Sequence, residues 1–454
     1  MCGIAFTTGP IPLPTLSIEH RGPDGLTTGS NHLGTWCHAL MTTQGSPRHT
    51  IETPYGVCLY NGDVYNWPME DNDYNSIVNR TTDNPSELIA HLRGEFAVVF
   101  VHESAVHFAV DPWRTRALWY YHDSDLLAVA SLPDVLRQHY GTAYKVRPNH
   151  HYTWDRSTHK LTWKQIQHFD LTQKTDNYDL VFEKLEQAVQ DRVTDNSLTM
   201  MSSGMDCGVI LAASRSLGLD PRTVTVPWGE RNDILAERLK LHRSHIVKFP
   251  KTSTLIAEIE RQIEMHWSRY SKNEDTIGTI AVIKELMWRK KTPRVLINGI
   301  GGDEMYSDYG ILGQPMRWES NFGGLFPEDL AHVWPWHNRI HDWTDRDDLI
   351  AGFYGVATRY PLLDRELVQA WLNTTYRLKN RSYKDWLRCY IEEKKYPFTD
   401  VKTGFAQWRR DTVEHSRPLP NYLSDKRAER PMSPFMDRQS ARSIRLNDVS
   451  DREN

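Results

Sequence analysis

A cysteine stands directly behind the initiator methionine in the opening stretch MCGIAF. If Met1 is removed, Cys2 becomes the first residue and carries both a thiol and a free α-amino group. A thiolate is a strong nucleophile, and an α-amine with an ordinary pKa of about 8 can take up and return its proton. Position 2 therefore suits a nucleophile that carries its own base, and an accident of composition is the alternative.

Two further stretches place small and acidic residues where an apolar strand ends. SLTMMSSGMD and PRVLINGIGGDE each run a strand into a turn of serines or glycines followed by Asp206 or Asp303. Backbone N–H groups and hydroxyls at such a turn attract anions, although SSGMD lacks the lysine of a Walker loop and a plain turn is the alternative. Two such turns in one parallel sheet predict a nucleotide whose metal is held by carboxylates.

The elements that must position these residues differ along the chain. The first 170 residues carry short β-type runs such as YGVCLYNGD and EFAVVFVHES, which predict an antiparallel, sheet-rich domain. After a polar linker at 170–179, strands alternate with helices, which predicts a parallel α/β sheet with its sites at the carboxyl ends of the strands. Residues 421–454 are charged and aperiodic, and we expect a disordered tail.

Composition limits the class of protein. A length of 454 residues suits two domains, and a net charge of -4 gives no basic surface for nucleic acid. No run approaches the roughly 20 apolar residues that span a bilayer, and no signal-peptide pattern is present. Five scattered cysteines without a CxxC pair argue against disulfides or a zinc site. We therefore expect a cytoplasmic protein and leave open whether it forms a homodimer.

These stretches belong to a longer ordered series that resembles the asparagine synthetase family. That family joins a class II glutamine amidotransferase domain with an N-terminal cysteine nucleophile to an ATP-pyrophosphatase-type synthetase domain. The resemblance implies an α+β N-terminal-nucleophile sandwich (αββα) over 2–170 and an α/β parallel-sheet domain over 178–420. The motifs are MCGI, HRGPDG, NGDVYN, RGEFAVVFVHE, DPWRTRALWYY, RPNHHY, SSGMD, NGIGGDEMYSDY, GVATRYPLLD, YKDWLR and KTGF.

For the first domain, the resemblance implies hydrolysis of glutamine. Cys2 would attack the side-chain amide, while Asn61 and Gly62 would form the oxyanion hole that stabilises the tetrahedral intermediate. Asp63 of the same NGD motif and Arg48 are the candidates for glutamine binding.

For the second domain, the resemblance implies adenylation of a carboxylate by ATP. Lys384 would neutralise the pyrophosphate, and Asp206 and Asp303 would bind Mg²⁺. Residues expected to bind ATP are Ser202, Ser203, Gly204, Asp206 and Gly301.

Other charged residues that match the family are given structural roles. Arg21 and Asp24 of HRGPDG are expected to order a loop. Arg359, Asp364 and Arg388 are expected to form a buried ion-pair network as readily as they would contact substrate.

The glutamine anchors of the family are altered in this chain. Its usual arginine falls on Leu40 and its usual aspartate on Pro85, with Arg48 and Asp83 nearby as substitutes. Losing both anchors would leave two charges of glutamine unpaired, at a cost of several kcal/mol by the usual order of magnitude.

The phosphate turn and the acceptor site also depart from the family pattern. Ser203 and Cys207 stand where the phosphate turn of the family has a glycine and a serine. At the acceptor site the catalytic glutamate falls on Tyr270, as in β-lactam synthetases, while a small shift would make Glu274 or Asp275 the carboxylate.

The sequence therefore predicts a glutamine-hydrolysing, ATP-dependent amide synthetase acting on aspartate or another carboxylate acceptor. One alternative is a β-lactam-synthetase-like cyclase or amide ligase with a degenerate glutaminase. A catalytically dead scaffold that keeps only the fold is the other.

Overall fold

The computed structural model of the chain describes residues 1–10, 18–43, 45, 51–67, 73–227, 230–247, 257, 274–307, 325–331, 333–334 and 340–399. Predictions that concern Arg48, Tyr270 and the tail 421–454 lie outside these residues, as does the side chain of Glu274.

Two antiparallel six-stranded sheets occupy the chain up to residue 165. The strands are β1 (Gly3–Thr7), β2 (Gly25–Asn31), β3 (Gly34–Leu40), β4 (Glu52–Thr53), β5 (Gly56–Val64), β6 (Gly94–Val101), β7 (Ala105–Val110), β8 (Trp119–His122), β9 (Leu127–Ala130), β10 (Tyr144–Lys145), β11 (His150–Asp155) and β12 (Leu161–Gln165). The first sheet has the order β10-β8-β9-β1-β3-β2 and the second β12-β11-β7-β6-β5-β4. The predicted antiparallel, sheet-rich part is confirmed.

The two sheets share one apolar core and carry helices on their other faces. Alternate residues of β1 point to opposite sides, so Ile4 and Phe6 lie in the core with Phe96, whereas Ala5 packs towards the helix over the first sheet. The layers are therefore helix, sheet, sheet and helix. The helices are α1 (Asp73–Val78) and α2 (Pro85–His91) on the second sheet and α3 (Pro133–Tyr140) on the first.

A five-stranded parallel sheet follows, formed by β13 (Ser197–Met200), β14 (Arg222–Thr225), β15 (Ser244–Ile246), β16 (Val295–Ile297) and β17 (Ala357–Arg359). The helices of this part are α4 (Asp179–Arg192), α5 (Met205–Ser216), α6 (Asn232–Leu241), α7 (Glu274–Trp288), α8 (Gly302–Tyr306), α9 (Ile340–Phe353), α10 (Arg365–Leu372), α11 (Tyr376–Lys379) and α12 (Asp385–Glu393). The predicted alternation of strands and helices, and the parallel sheet, are confirmed.

The strands lie side by side in the order β15-β14-β13-β16-β17. From β13 the chain adds strands towards one edge of the sheet, and from β16 it adds them towards the other edge, so the switch point lies between β13 and β16. In open α/β sheets a crevice forms at such a switch point, outside the carboxyl ends of the two strands. The stretches SSGMD and NGIGGDE begin at those two ends, so the fold brings them to one place.

The antiparallel and parallel parts are packed against each other. Met1, Cys2, Leu40 and Trp113 belong to the same hydrophobic cluster as the core of the parallel sheet. The boundaries 2–170 and 178–420 stay a prediction. In the part of the chain that the structure describes, no helix is long and apolar enough to cross a membrane.

Candidate active sites

Cys2 lies immediately before β1 and is 7% exposed. Pairing of Gly3 with Ala39 places the thiol beside the end of β3, where Cys2 Sγ lies 3.4 Å from the backbone N–H of Met41 and 3.5 Å from its carbonyl. The thiol is thus held by backbone groups in a buried position.

Burial controls the protonation of this N-terminal segment. It raises the pKa of the Cys2 thiol, against the opposing effect of the nearby α-ammonium group. It also lowers the pKa of the Met1 α-amino group to about 5. At neutral pH the site therefore holds a protonated thiol beside the uncharged α-amine of Met1, which contacts Met41 Sδ.

Asn61 and Gly62 lie in β5, which faces β1 from the other sheet. A hydrogen bond of 2.9 Å between His38 Nε2 and the carbonyl of Tyr60 ties β3 to β5 next to Asn61. The Asn61 side chain is fully buried, and neither its amide nitrogen nor its oxygen has a hydrogen-bond partner among the described residues. Burying an amide without hydrogen-bond partners costs free energy of folding. Such an arrangement is expected of a donor whose partner is a bound ligand.

Gly62 cannot be replaced by another residue without a rearrangement of the sheet. Its φ is +149°, and a Cβ atom at this position would lie 1.9 Å from the carbonyl oxygen of Glu95. A glycine is therefore required by conformation and by the close approach of β6.

Asp63 does not face an open pocket. Its carboxylate is buried and pairs with Arg359 Nη2 at 2.6 Å and with Arg116 Nη2 at 3.3 Å, and it accepts a hydrogen bond from Thr43 Oγ1. Burial acts to raise the pKa of Asp63, but the two arginines outweigh it and hold the pKa well below its usual range. Asp63 was predicted to bind glutamine, but its carboxylate already has three partners within the protein.

The two charged residues of HRGPDG bridge the antiparallel and parallel parts. Arg21 donates to the carbonyl of Cys2 at 3.1 Å and pairs with Asp348 of α9 at 3.0 Å. Asp24 pairs with Arg294, just before β16, at 2.8 Å. Both contacts agree with the expected ordering of the loop.

The positions that depart from the glutamine-binding pattern do not supply charged groups. Leu40 is buried in the cluster that contains Cys2, and Pro85 is the first residue of α2. Asp83 is exposed before that helix.

At the switch point of the parallel sheet, Lys384 lies between two carboxylates. Its ammonium group contacts Asp206 Oδ1 and lies 2.8 Å from Asp303 Oδ1, which also accepts a hydrogen bond of 2.7 Å from Tyr383. Burial acts to lower the pKa of Lys384, but the two carboxylates outweigh it and raise the pKa. Lys384 has a left-handed backbone, with φ of +50°, and such strain in a non-glycine residue is typical of functional sites.

The glycines of NGIGGDE let this turn approach Asp206 closely. A Cβ on Gly302 would lie 2.1 Å from Asp206 Oδ1, and Gly301 has a φ of +105°. Three residues predicted for this site, Asp206, Asp303 and Lys384, are therefore brought together.

The turn Ser202–Gly204 has partners that the sequence did not reveal. Ser203 donates from its backbone N–H and from its hydroxyl to the carboxylate of Glu230. The buried guanidinium of Arg238 donates to the carbonyls of Ser202 and Gly204. Glu230 and Arg238 carry no motif signal, because they follow the turn by about thirty residues and meet it only when β14 and α6 are in place.

Asp206 and Asp303 suit a magnesium ion in number and type. Mg²⁺ is commonly bound by one or two carboxylates together with substrate phosphates and water. No group of three or more His, Cys, Asp or Glu side chains arranged for a metal occurs within the described ranges. A magnesium ion here would thus depend on the nucleotide for its remaining ligands.

No protein-family model matches the chain, and no curated protein sequence matches it. Among solved structures, glutamine phosphoribosylpyrophosphate amidotransferase from B. subtilis, complexed with ADP and GMP, has 12% identity and a TM-score of 0.30 over 57% of this chain and 70% of that chain. A glutamine aminotransferase class-II domain protein from Silicibacter pomeroyi has 13% identity and a TM-score of 0.24 over 37% of this chain and 100% of its own.

The NMN synthetase of Francisella tularensis has 11% identity and a TM-score of 0.20, over 49% of this chain and 95% of that chain. Likenesses of this size decide neither fold nor activity, so the functional conclusion depends on the geometry of the two sites.

Proposed function

We propose that this protein is a glutamine-hydrolysing, ATP-dependent amide synthetase of asparagine synthetase type. An N-terminal-nucleophile glutaminase would occupy residues 2–170 and an ATP-pyrophosphatase-type synthetase residues 178–420. The observation that carries the proposal is the buried Lys384 between Asp206 and Asp303, because it joins two strand ends at the switch point of a parallel sheet. A lysine held there can face the negative charge of a nucleotide.

In the first site, removal of Met1 would leave the α-amine on Cys2 itself. The amine takes the thiol proton, and the sulfur attacks the side-chain carbonyl carbon of glutamine. The oxyanion that forms would accept hydrogen bonds from Asn61 Nδ2 and from the backbone N–H of Gly62. The proton returns to the leaving ammonia, and water then hydrolyses the thioester to glutamate and the free thiol.

In the second site, an oxygen of the acceptor carboxylate would attack the α-phosphorus of ATP, and pyrophosphate would leave. Ammonia then attacks the carbonyl carbon of the acyl-adenylate, so that an amide forms and AMP leaves. Lys384 would stabilise the pyrophosphate charge. Asp206 and Asp303 would hold Mg²⁺, which neutralises phosphate charge when bound.

Two assays test the two sites separately. Release of pyrophosphate from Mg-ATP should require a carboxylic acid, and a panel that contains aspartate would identify it. Silence with every acid, together with no binding of Mg-ATP, would contradict the synthetase assignment.

Release of glutamate from glutamine should be abolished by Cys2→Ala and retained by Cys37→Ala, which removes another buried thiol, on β3. Intact mass should show that Met1 is absent. A retained Met1, or equal glutamate release by Cys2→Ala and the wild type, would contradict the mechanism at Cys2.

A second candidate function is favoured by the contacts of Asp63. Because its carboxylate is taken up by Arg116 and Arg359, and because Leu40 and Pro85 are uncharged, the first site offers few groups for the charged end of glutamine. This favours an amide ligase or cyclase that uses an amine of its own substrate. Pyrophosphate release that neither glutamine nor ammonium increases would support this candidate over the first.

A further inference from the structure

The turn proposed to bind phosphate already holds an anion, the carboxylate of Glu230. Its Oε2 accepts a hydrogen bond of 2.6 Å from the backbone N–H of Ser203 and a second, shorter one from the Ser203 hydroxyl. A glycine at position 203 would offer only the backbone donor. These two donors stand directly before α5, where an N-terminal helix dipole favours negative charge.

A buried arginine also holds the turn. Arg238 is fully buried, donates to the carbonyl of Gly204 at 2.9 Å and also donates to the carbonyl of Ser202. Gly208 of α5 leaves room for its guanidinium, since a Cβ there would lie 2.4 Å from Arg238 Nη2. The Nη2 group has no hydrogen-bond partner among the residues described. A buried donor is therefore left over beside the same turn.

Glu230 is held less firmly than a paired carboxylate. No ion pair of its side chain is found within the described residues, and the hydrogen bonds that it accepts there come from Ser203. Burial raises the pKa of Glu230, against the opposing effects of its hydrogen bonds from Ser203 and of the nearby Arg238 guanidinium. A pyrophosphate group offers more charge and more oxygens to the same donors, so it can displace the carboxylate.

We propose that Glu230 is an internal competitor for the phosphate turn, so that nucleotide binds only when this carboxylate leaves Ser203. The proposal rests on the proposed ATP-dependent function and adds to it the residue that sets the affinity for phosphate. Glu230 thus lowers the affinity for nucleotide by the amount needed to break its hydrogen bonds with Ser203.

Titration calorimetry of the full chain with Mg-pyrophosphate and with Mg-ATP tests the proposal. Glu230→Gln keeps the size of the side chain but removes its charge, and we expect binding to tighten on the order of tenfold, as for the loss of a charge-assisted hydrogen bond. Glu230→Asp keeps the charge but shortens the reach, and it should also tighten binding.

The matched control is Glu237→Gln, which removes an exposed carboxylate from α6 that pairs with Lys240. This variant should stay within about twofold of the wild type, because a solvated charge is screened. Circular dichroism and thermal unfolding verify that each variant is folded.

Unchanged or weaker binding by Glu230→Gln and Glu230→Asp, with a wild type that binds, would overturn the competition and leave the proposed ATP use intact. Equal tightening by Glu237→Gln would likewise overturn it, since the effect would then be one of net charge. If no variant binds either ligand, both the competition and the ATP-dependent function are wrong.

Discussion

Three consecutive residues of β5 have three different relations to their surroundings. Asn61 is buried with an amide that has no partner in the described structure, Gly62 is required by the approach of β6, and Asp63 is surrounded by arginines. Of the three side-chain positions, only Asn61 has the arrangement expected of a group that binds a ligand. Neighbouring residues of one short motif thus differ in whether they are arranged to bind a ligand or to stabilise the fold.

Asn61→Leu should separate catalysis from stability. Loss of one oxyanion donor is expected to lower kcat for glutamate release by about 10²–10³. The melting temperature should not fall, because the change removes a buried amide that makes no hydrogen bond. Glutamate release and thermal unfolding of the same preparation measure both effects.

The matched control is Thr199→Val in β13, which removes a different buried polar group, a hydroxyl without a partner among the described residues. It should leave glutamate release unchanged. A marked loss of stability in Asn61→Leu, with glutamate release unaffected, would show that the amide is structural.

Asp63→Asn should destabilise the protein strongly. It removes the carboxylate charge that pairs with the buried guanidinium groups of Arg116 and Arg359, and breaking a buried ion pair in this way costs about 3–5 kcal/mol. Urea unfolding compared with Glu103→Gln, which breaks the exposed pair with His32, gives the contrast, since an exposed pair contributes about 0–1 kcal/mol. Equal stability of the two variants would contradict this assignment.

At the scale of elements, three histidines lie on one face of the second sheet: one in β7, one in β11 and one directly after the end of β6. Register pairs His107 with Thr153 and with Phe100, which places His102, His107 and His151 on the same side. His107 Nδ1 lies 3.0 Å from His151 Nε2. Burial lowers the pKa of His107 to about 4 and that of His151 to about 3. His107 and His151 are therefore uncharged in the folded protein at neutral pH.

The stability of the protein should fall as the pH is lowered from about 6.5 to about 3. Above the unfolded pKa of about 6.5 the histidines are neutral in both states and have no effect. Below it His107 and His151 become protonated in the unfolded chain but stay neutral in the folded protein. The free energy of unfolding therefore falls by up to about 1.4 kcal/mol per pH unit for each of the two histidines. The double variant His107→Gln/His151→Gln should flatten this slope.

Unfolding by urea at several pH values measures the slope. His91→Gln, at an exposed position in α2, is the control and should leave it unchanged. A double variant with the wild-type slope would contradict the role of this histidine face.

Sequence patterns predicted the elements better than their partners. The runs that became β5, β6, β13 and β16 were visible as apolar stretches ending in turn residues, because local spacing determines them. The partner of Asp63 was not visible, since Arg359 is distant in the chain and reaches it only after β17 joins the parallel sheet. Glu230 was missed for the same reason. Ser203, where the motif departs from its usual glycine, was the only local signal.

At the scale of the whole molecule, the antiparallel and parallel parts are joined by buried charges. Among the buried ion pairs that connect them in the described residues are Arg21–Asp348, Arg114–Asp345, Arg359–Asp63, Arg192–Glu95 and Arg93–Asp364. Each pair has one member in each part, and their side chains are almost completely buried. In an isolated part these charged groups would be exposed to solvent or would stay buried without their partners. A buried charge without its partner is costly in free energy in a low-dielectric environment.

The two parts should therefore unfold together. Differential scanning calorimetry of the full chain is expected to show one cooperative transition, and fragment 1–170 expressed alone should lack a cooperative transition. Two separate transitions, or a fragment 1–170 that melts like the intact protein, would show that the parts fold independently.

The buried start of the chain has a practical consequence for anyone who purifies the protein. Met1 is only 3% exposed and packs with Met41 beside Cys2. An affinity tag fused ahead of Met1 would have to pass through this packed region, and it would also keep the α-amine of Cys2 locked in a peptide bond. Glutamate release by a protein tagged ahead of Met1 would therefore not report on Cys2 with a free α-amine, so the tag should be placed at the C-terminus.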